Sequence, residues 1–260
     1  RLIMEYLLKA NAIVILFYLC YKLFLQRETF FESNRYFLLA GLAIASIIPF
    51  IVIPIYITAP ELNEFNFISV GNEIPANNIV ENSFNFFQLF QWVYLLGIVI
   101  FSIKFLIEFT GLFIILIQNK KTKKGDYTYV ETEKDHSPFS FFKYIVYNPN
   151  HFNVTELEHI ILHEKVHAKQ YHSIDIIITK ITAILFWFNP FIWLYNKSLQ
   201  QNLEFIADSN TQQKITDAKS YQTLLLKTVL SPKQMTLVNN FYNSLIKKRI
   251  IMLHKSKSKQ

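Results

Sequence analysis

Three long apolar stretches constrain this chain more than anything else in it, because each is long enough to cross a bilayer as a helix of about 20 residues. The first covers roughly residues 6–25 and is flanked by Lys9 and Lys22, whose long stems reach the headgroups. The second, near 36–58, is uncharged and holds Pro49 and Pro54. Membrane helices tolerate such prolines where neighbours satisfy the freed carbonyls. The third, near 90–118, opens with Trp92 and Tyr94, in position for an interfacial aromatic belt. It also carries Lys104 and Glu108, one turn apart and expected to pair with each other. Composition agrees: 52% of the residues are hydrophobic and 17% charged, against about 25% charged in a soluble domain.

Net charge is +7, but the basic residues cluster beside the apolar stretches and at the C-terminus. That placement suits anionic lipid headgroups, and no groove-reading motif accompanies it, so direct nucleic-acid binding is not expected. Cys20 is the one cysteine, which excludes an intrachain disulfide. Residues 59–91 lack Lys and Arg and hold Glu61, Glu64, Glu73 and Glu81. Lys22, Arg27 and Arg35 surround the first loop, and Lys120, Lys121, Lys123 and Lys124 follow the third stretch. The positive-inside rule then turns 59–91 outward and leaves everything after residue 119 in the cytoplasm.

Beyond the third stretch the pattern changes to that of a mixed domain. Gly125-Asp126 marks a turn, 127–132 alternates as a strand does, and 139–147 is a second β-prone run. A helix is expected from Thr155, with Glu158 completing a capping box. On it lies His163-Glu164-Lys165-Val166-His167. Two His four residues apart share a helix face and reach a single ion, and zinc suits imidazole ligands with one position left for water. Glu164, beside that position, is placed to take a proton from the water and return it to a leaving amine.

A catalytic zinc needs a third protein ligand, and Glu204 is the candidate. Asn189-Pro190 reads as a cap and first-turn proline, opening a helix from 190 to about 209. Glu204 and Asp208 share a face of that helix, so Asp208 is placed to accept the outer ring N–H of a zinc-bound His. His172 and Asp175, expected on a continuation of the first helix, either orient a ligand from behind or, for Asp175, face solvent. His159 lies on the ligand face and competes with the others, but its nearness to the helix start gives it a solvated or capping role. The run 174–188 is short for a span and reads as a core hairpin or one lying at the membrane surface.

Taken together, three membrane helices, a β pair containing His136-Ser137-Pro138-Phe139-Ser140-Phe141-Phe142, the HEKVH sequence, Asn189-Pro190 and the helix Gln201-Asn202-Leu203-Glu204-Phe205-Ile206-Ala207-Asp208 resemble the BlaR/MecR-type sensor-transducer metallopeptidases, metallopeptidase family 56. Residues 221–226 and 247–253 extend the likeness over nearly the whole chain. The resemblance implies an α-helical membrane protein with an α+β gluzincin-like cytoplasmic peptidase domain and Zn2+ as cofactor. It implies a three-helix membrane region over 1–118, a peptidase domain over 119–253, and a location in the cytoplasmic membrane. The implied function is an endopeptidase of transmembrane signalling that cleaves itself or a cytoplasmic regulatory protein such as a transcriptional repressor.

Members of that family carry a further span and an outer β-lactam-binding domain, whereas the sequence stops at Gln260 after a basic tail, 254–260, expected to be cut before such a span. Either a longer receptor or another partner supplies the signal. Two other readings stay open: a quality-control or prenyl-protein type zincin, and a catalytically silent signalling module. The orientation is tested first. In a Cys20→Ser background, an impermeant maleimide should label Asn77→Cys from outside intact cells and Lys123→Cys only after lysis. Labelling of both from one side would overturn the charge argument.

Overall fold

A computed structural model describes residues 2–51, 86–134, 136–229, 239–256 and 258. Helix α1 (Leu2–Cys20) runs into a π-helical turn (Tyr21–Leu25), α2 (Phe31–Ile47) into a 3-10 turn (Ile48–Phe50), and α3 covers Phe86–Gln118. All three, as Ile3–Leu25, Phe31–Phe50 and Phe86–Gln118, have the length and hydropathy of membrane spans. α3 is apolar on every side and none of its most apolar window is covered by protein, as expected of a helix facing lipid. The end of the second expected stretch and most of the loop expected to face outward, residues 52–85, lie outside the described residues, while 86–91, also expected in that loop, open α3.

Helix α2 begins five residues before the uncharged stretch and so includes Glu32, Asn34 and Arg35. Asn34 and Arg35 are buried, so protein partners rather than water solvate them. The expected Lys104–Glu108 pair is not what forms. Glu108 instead receives Lys180 at 2.8 Å, because a helix laid against α3 brings a cation to it.

The lysine-rich end of α3 is a strand, not a helix tail. β1 (Lys120–Lys124) turns at Gly125, φ +61°, into β2 (Tyr127–Glu131). The run 139–147 folds as two strands, β3 (Phe139–Phe141) and β4 (Tyr144–Tyr147), hinged at Phe142 with φ 49°. The sheet order is β1-β2-β4-β3, with β2 and β4 parallel and the other pairs antiparallel. Lysines on β1 discourage further pairing at that edge. Val130 and Val146 pack with Leu116 to seat the sheet on the end of α3.

Two of the remaining helices, α4 (Val154–Lys169) and α6 (Pro190–Gln212), follow the sequence reading with shifts. α4 starts two residues early, since Asn153 and Glu156, not Thr155 and Glu158, form the capping box. Thr155 instead supports that cap, its hydroxyl donating to Asn153 Oδ1 at 2.8 Å. Tyr171, at φ 54°, breaks the helix expected to continue, and α5 (His172–Leu185) starts anew. α6 (Pro190–Gln212) is capped by Asn189, whose side chain accepts from Phe191 N, and α7 (Ala218–Val229) and α8 (Asn239–His254) complete the chain.

The largest core crosses the expected boundary at residue 118. Leu7, Val14 and Tyr18 of α1 and Leu38 and Leu42 of α2 pack with Ile192, Tyr195 and Leu199 of α6. Tyr195 Oη donates to Leu38 O at 2.6 Å, and Asn202 Nδ2 to Phe31 O at 2.7 Å. Close approach of α2 depends on Gly41, where an added Cβ would collide with Tyr195 and Phe17, whereas one at Gly111 would meet nothing within 4 Å. Gly41→Ala should therefore lower the thermal midpoint in detergent, by overpacking worth about 1–3 kcal/mol. Gly111→Ala should leave it unchanged or slightly raised. Equal midpoints for the two variants would refute the α2–α6 packing.

Candidate metal centre

Helix α4 places His163 and His167 on its inner face, and α6 crosses it with Glu204 opposite. The two Nε2 atoms are 3.1 Å apart; Glu204 Oε2 lies 3.4 Å from that of His163 and Oε1 lies 3.6 Å from that of His167. These three residues converge closely enough to hold one metal ion. Ligand atoms on a tetrahedral zinc, at about 2.0–2.2 Å, are separated by roughly 3.3–3.6 Å; the donor set suits that ion and both carboxylate distances fall in this range, with the two nitrogens slightly closer. Both imidazoles are nearly buried, while the Glu204 side chain keeps 36% of its exposure, which makes its flank the open side.

The groups behind each imidazole fix which nitrogen faces the centre. Gln170 Nε2 donates to Glu32 Oε1 and its Oε1 accepts from Arg35 Nη1, which settles the orientation of that amide. His172 Nε2, 3.0 Å from Gln170 Oε1, must therefore be the donor. Burial, with His167 and Arg35 nearby, pushes the His172 imidazole down to about 3, so the ring is neutral and its Nδ1 carries a lone pair. That lone pair receives Nδ1–H of His167 at 2.7 Å, leaving His167 Nε2 free to ligate.

His163 is oriented from the other side. Tyr221 Oη donates to Asp208 Oδ1 at 2.8 Å and so has a lone pair for His163 Nδ1, also at 2.8 Å. Asp208 Oδ1 itself lies 3.3 Å from that nitrogen. Burial pushes the His163 imidazole down, but Asp208 and Glu204 outweigh it and raise the group to about 10. Arg249 grips Asp208 with Nε at 2.7 Å and Nη2 at 2.6 Å, and reaches Glu204 Oε2 with Nη1 at 2.9 Å. Against their burial, this guanidinium holds both carboxyls below the usual carboxylate range. With His163 in the neutral form a ligand requires, two carboxylates and one guanidinium leave one negative charge in surplus, a field that favours a cation in place of that proton.

Of the residues singled out in the sequence, the structure brings together His163, His167, Glu204, Asp208 and His172. Glu164 is buried on α4, and its charge acts on His167. Asp175 does not touch a ligand: it pairs with Arg35 Nε at 2.7 Å and joins the centre only through Gln170 and His172. His159 neither caps α4 nor joins the cluster, and sits edge-on to Tyr221 at 6.2 Å. Sequence reasoning used Arg35 only for orientation and Tyr221 and Arg249 only within the family likeness, passed over Gln170, and assigned none of them to the metal centre. Arg35 carried a signal, since a cation next to an apolar stretch needs a partner, and Asp175 in another apolar run is the matching one.

Residues 137–253 match the family profile described as BlaR1 peptidase M56. Over 236 residues the chain is 25% identical to Regulatory protein BlaR1 of Staphylococcus aureus, a match covering 80% of this chain and 38% of that protein. The chain thus spans well under half the length of that relative. Residues 137–253 are thus similar to the BlaR1 peptidase M56 family, and they follow three helices of membrane-span length.

Proposed function

We propose that this membrane protein is a zinc endopeptidase of transmembrane signalling, which cleaves itself or a cytoplasmic regulatory protein such as a transcriptional repressor. The observation that carries the reading is the convergence of His163 Nε2, His167 Nε2 and the Glu204 carboxylate, close enough together to share one ion. In this reading residues 119–253 form a gluzincin-like peptidase on the cytoplasmic side, supported by the lysines of β1 beside the end of α3.

His163, His167 and Glu204 would hold the zinc. When bound, it would acidify water and polarise the scissile carbonyl. Glu164 takes a proton from the attacking water and passes it to the leaving amine. Tyr221 and Asp208 keep the His163 ring turned inward, and His172 does the same for His167. Arg249 neutralises Asp208 and steadies Glu204 without itself ligating. A buried general base next to the ligands supports an enzyme over a silent signalling module, which has no use for one.

The ligands are tested by metal content. Purified protein should carry about one zinc per chain; His163→Ala, His167→Ala and Glu204→Ala should each lose most of it, and His159→Ala should keep it. Tyr221→Phe should weaken zinc affinity by about 10–100-fold. Zinc retained in Glu204→Ala but lost from His159→Ala would show that the ligand set is wrong.

The role of Glu164 is tested by Glu164→Gln, which keeps size and removes the base. Zinc and fold should be retained, while cleavage of co-expressed partner proteins or of the chain itself, followed by mass spectrometry, should fall at least about 100-fold. Cleavage by the zinc-loaded variant at the wild-type rate would rule out this mechanism.

A further inference from the structure

Helix α5 is built inside out for water. Its buried face consists of His172, Ser173, Asp175, Thr179, Thr182 and Ala183, while Ile174, Ile176, Ile178, Ile181 and Leu185 are exposed. The polar face is fully employed inside the protein. Ser173 Oγ accepts from Phe142 N at 2.8 Å, Asp175 pairs with Arg35, Thr182 Oγ1 donates to Thr179 O at 2.9 Å, and Asn196 Nδ2 reaches the same carbonyl at 2.8 Å. An exposed apolar stripe of this length on a helix whose polar groups turn inward marks contact with an apolar phase.

The turn joining α5 to α6 gives a second, independent sign. Asn189 Nδ2 donates to Asn11 Oδ1 at 2.5 Å. Tyr94 Oη donates to Leu185 O at 3.1 Å, Trp187 Nε1 to Tyr94 O at 3.3 Å, and Trp193 Nε1 to Trp187 O at 3.1 Å. A turn in water leaves such groups to solvent; here protein atoms satisfy them, as burial in a bilayer demands.

Position along the spans gives the depth. α5 meets α3 at Lys180–Glu108 and again at Phe188–Tyr94, where the rings are 6.0 Å apart. From Glu108 to Tyr94 is about 21 Å of helix rise. On α1, Asn189 lies at Asn11, also about 21 Å of rise from the inner end of the span at Leu25. On both helices the contact also lies eight residues, about 12 Å of rise, short of the far end of the span, at Phe86 on α3 and Ile3 on α1, so the turn stays within the bilayer.

We infer that α5 and the first half of α6 form a re-entrant helical hairpin embedded among α1, α2 and α3, with lipid acyl chains covering the Ile174–Leu185 stripe. Its exposed face is continuous with that of α3, where Phe101 packs on Trp187 and Trp193. Asn202 and Phe205 at the other end of α6 meet Phe31, at the start of α2. The metal centre is therefore held at the bilayer–water boundary, not out in the cytoplasm.

The test uses the full chain in liposomes, in a Cys20→Ser background with single spin labels at Ile178→Cys, Ile181→Cys, Leu185→Cys and, as an aqueous control, Lys219→Cys. Collision rates with oxygen and with a water-soluble nickel chelate should favour oxygen increasingly from 178 to 185, several-fold over the control. Nickel access at 181 and 185 equal to that at 219 would overturn the inference. So would spin–spin broadening at these sites, which would mean that a second copy of the chain, not lipid, covers the stripe.

Discussion

Arg35 enters the structure buried on a helix of membrane-span length, where a guanidinium needs partners for its charge. Its Nε takes Asp175 Oδ2 at 2.7 Å, Nη1 takes Gln170 Oε1 at 3.2 Å and Nη2 takes Gln170 O at 2.9 Å. Breaking a buried pair of this kind costs about 3–5 kcal/mol, because the remaining charge is left uncompensated. The last contact matters for the fold, since Gln170 O belongs to the end of α4, where carbonyls lack helical partners and the helix dipole is negative. Arg35 thus closes α4, the chain turns through the left-handed Tyr171, and α5 starts where His172 falls behind His167.

The two imidazoles consequently answer to different parts of the molecule. His167 is oriented through His172 and Gln170 by α2, a helix of membrane-span length. His163 is oriented by Asp208 on α6 and Tyr221 on α7, which Arg249 on α8 holds in place. The centre is a junction of elements drawn from both ends of the chain. A shift of α2 acts on one ligand, and a shift of α8 acts on the other and on Glu204.

Much of this was legible in the sequence because it rests on local periodicity. Three apolar stretches gave three helices, and the four-residue spacing of His163 and His167 and of Glu204 and Asp208 set each pair on one face. What stayed hidden depends on contacts between distant segments. Lys104 and Glu108 have ideal helical spacing, yet Lys180 from α5 captures the carboxylate. The lysines of β1 look like a helix end because nothing in their own sequence reports the pairing with β2. Tyr221 and Arg249 are ordinary residues on amphipathic helices until Asp208 is brought beside them.

The shared core also imposes an order in time. Asn189 meets Asn11, Tyr195 meets Leu38 and Asn202 meets Phe31, separations of 178, 157 and 171 residues. Loop closure over such distances adds little free energy, since its cost grows only logarithmically. At about 5–20 residues per second of synthesis, however, α1 and α2 wait roughly 8–30 s for α6 to be made. Through that interval the seam that α6 will fill, including the Leu38 carbonyl and the small surface around Gly41, stands open in the membrane. The α1–α2 pair must therefore hold together on its own contacts until α6 docks.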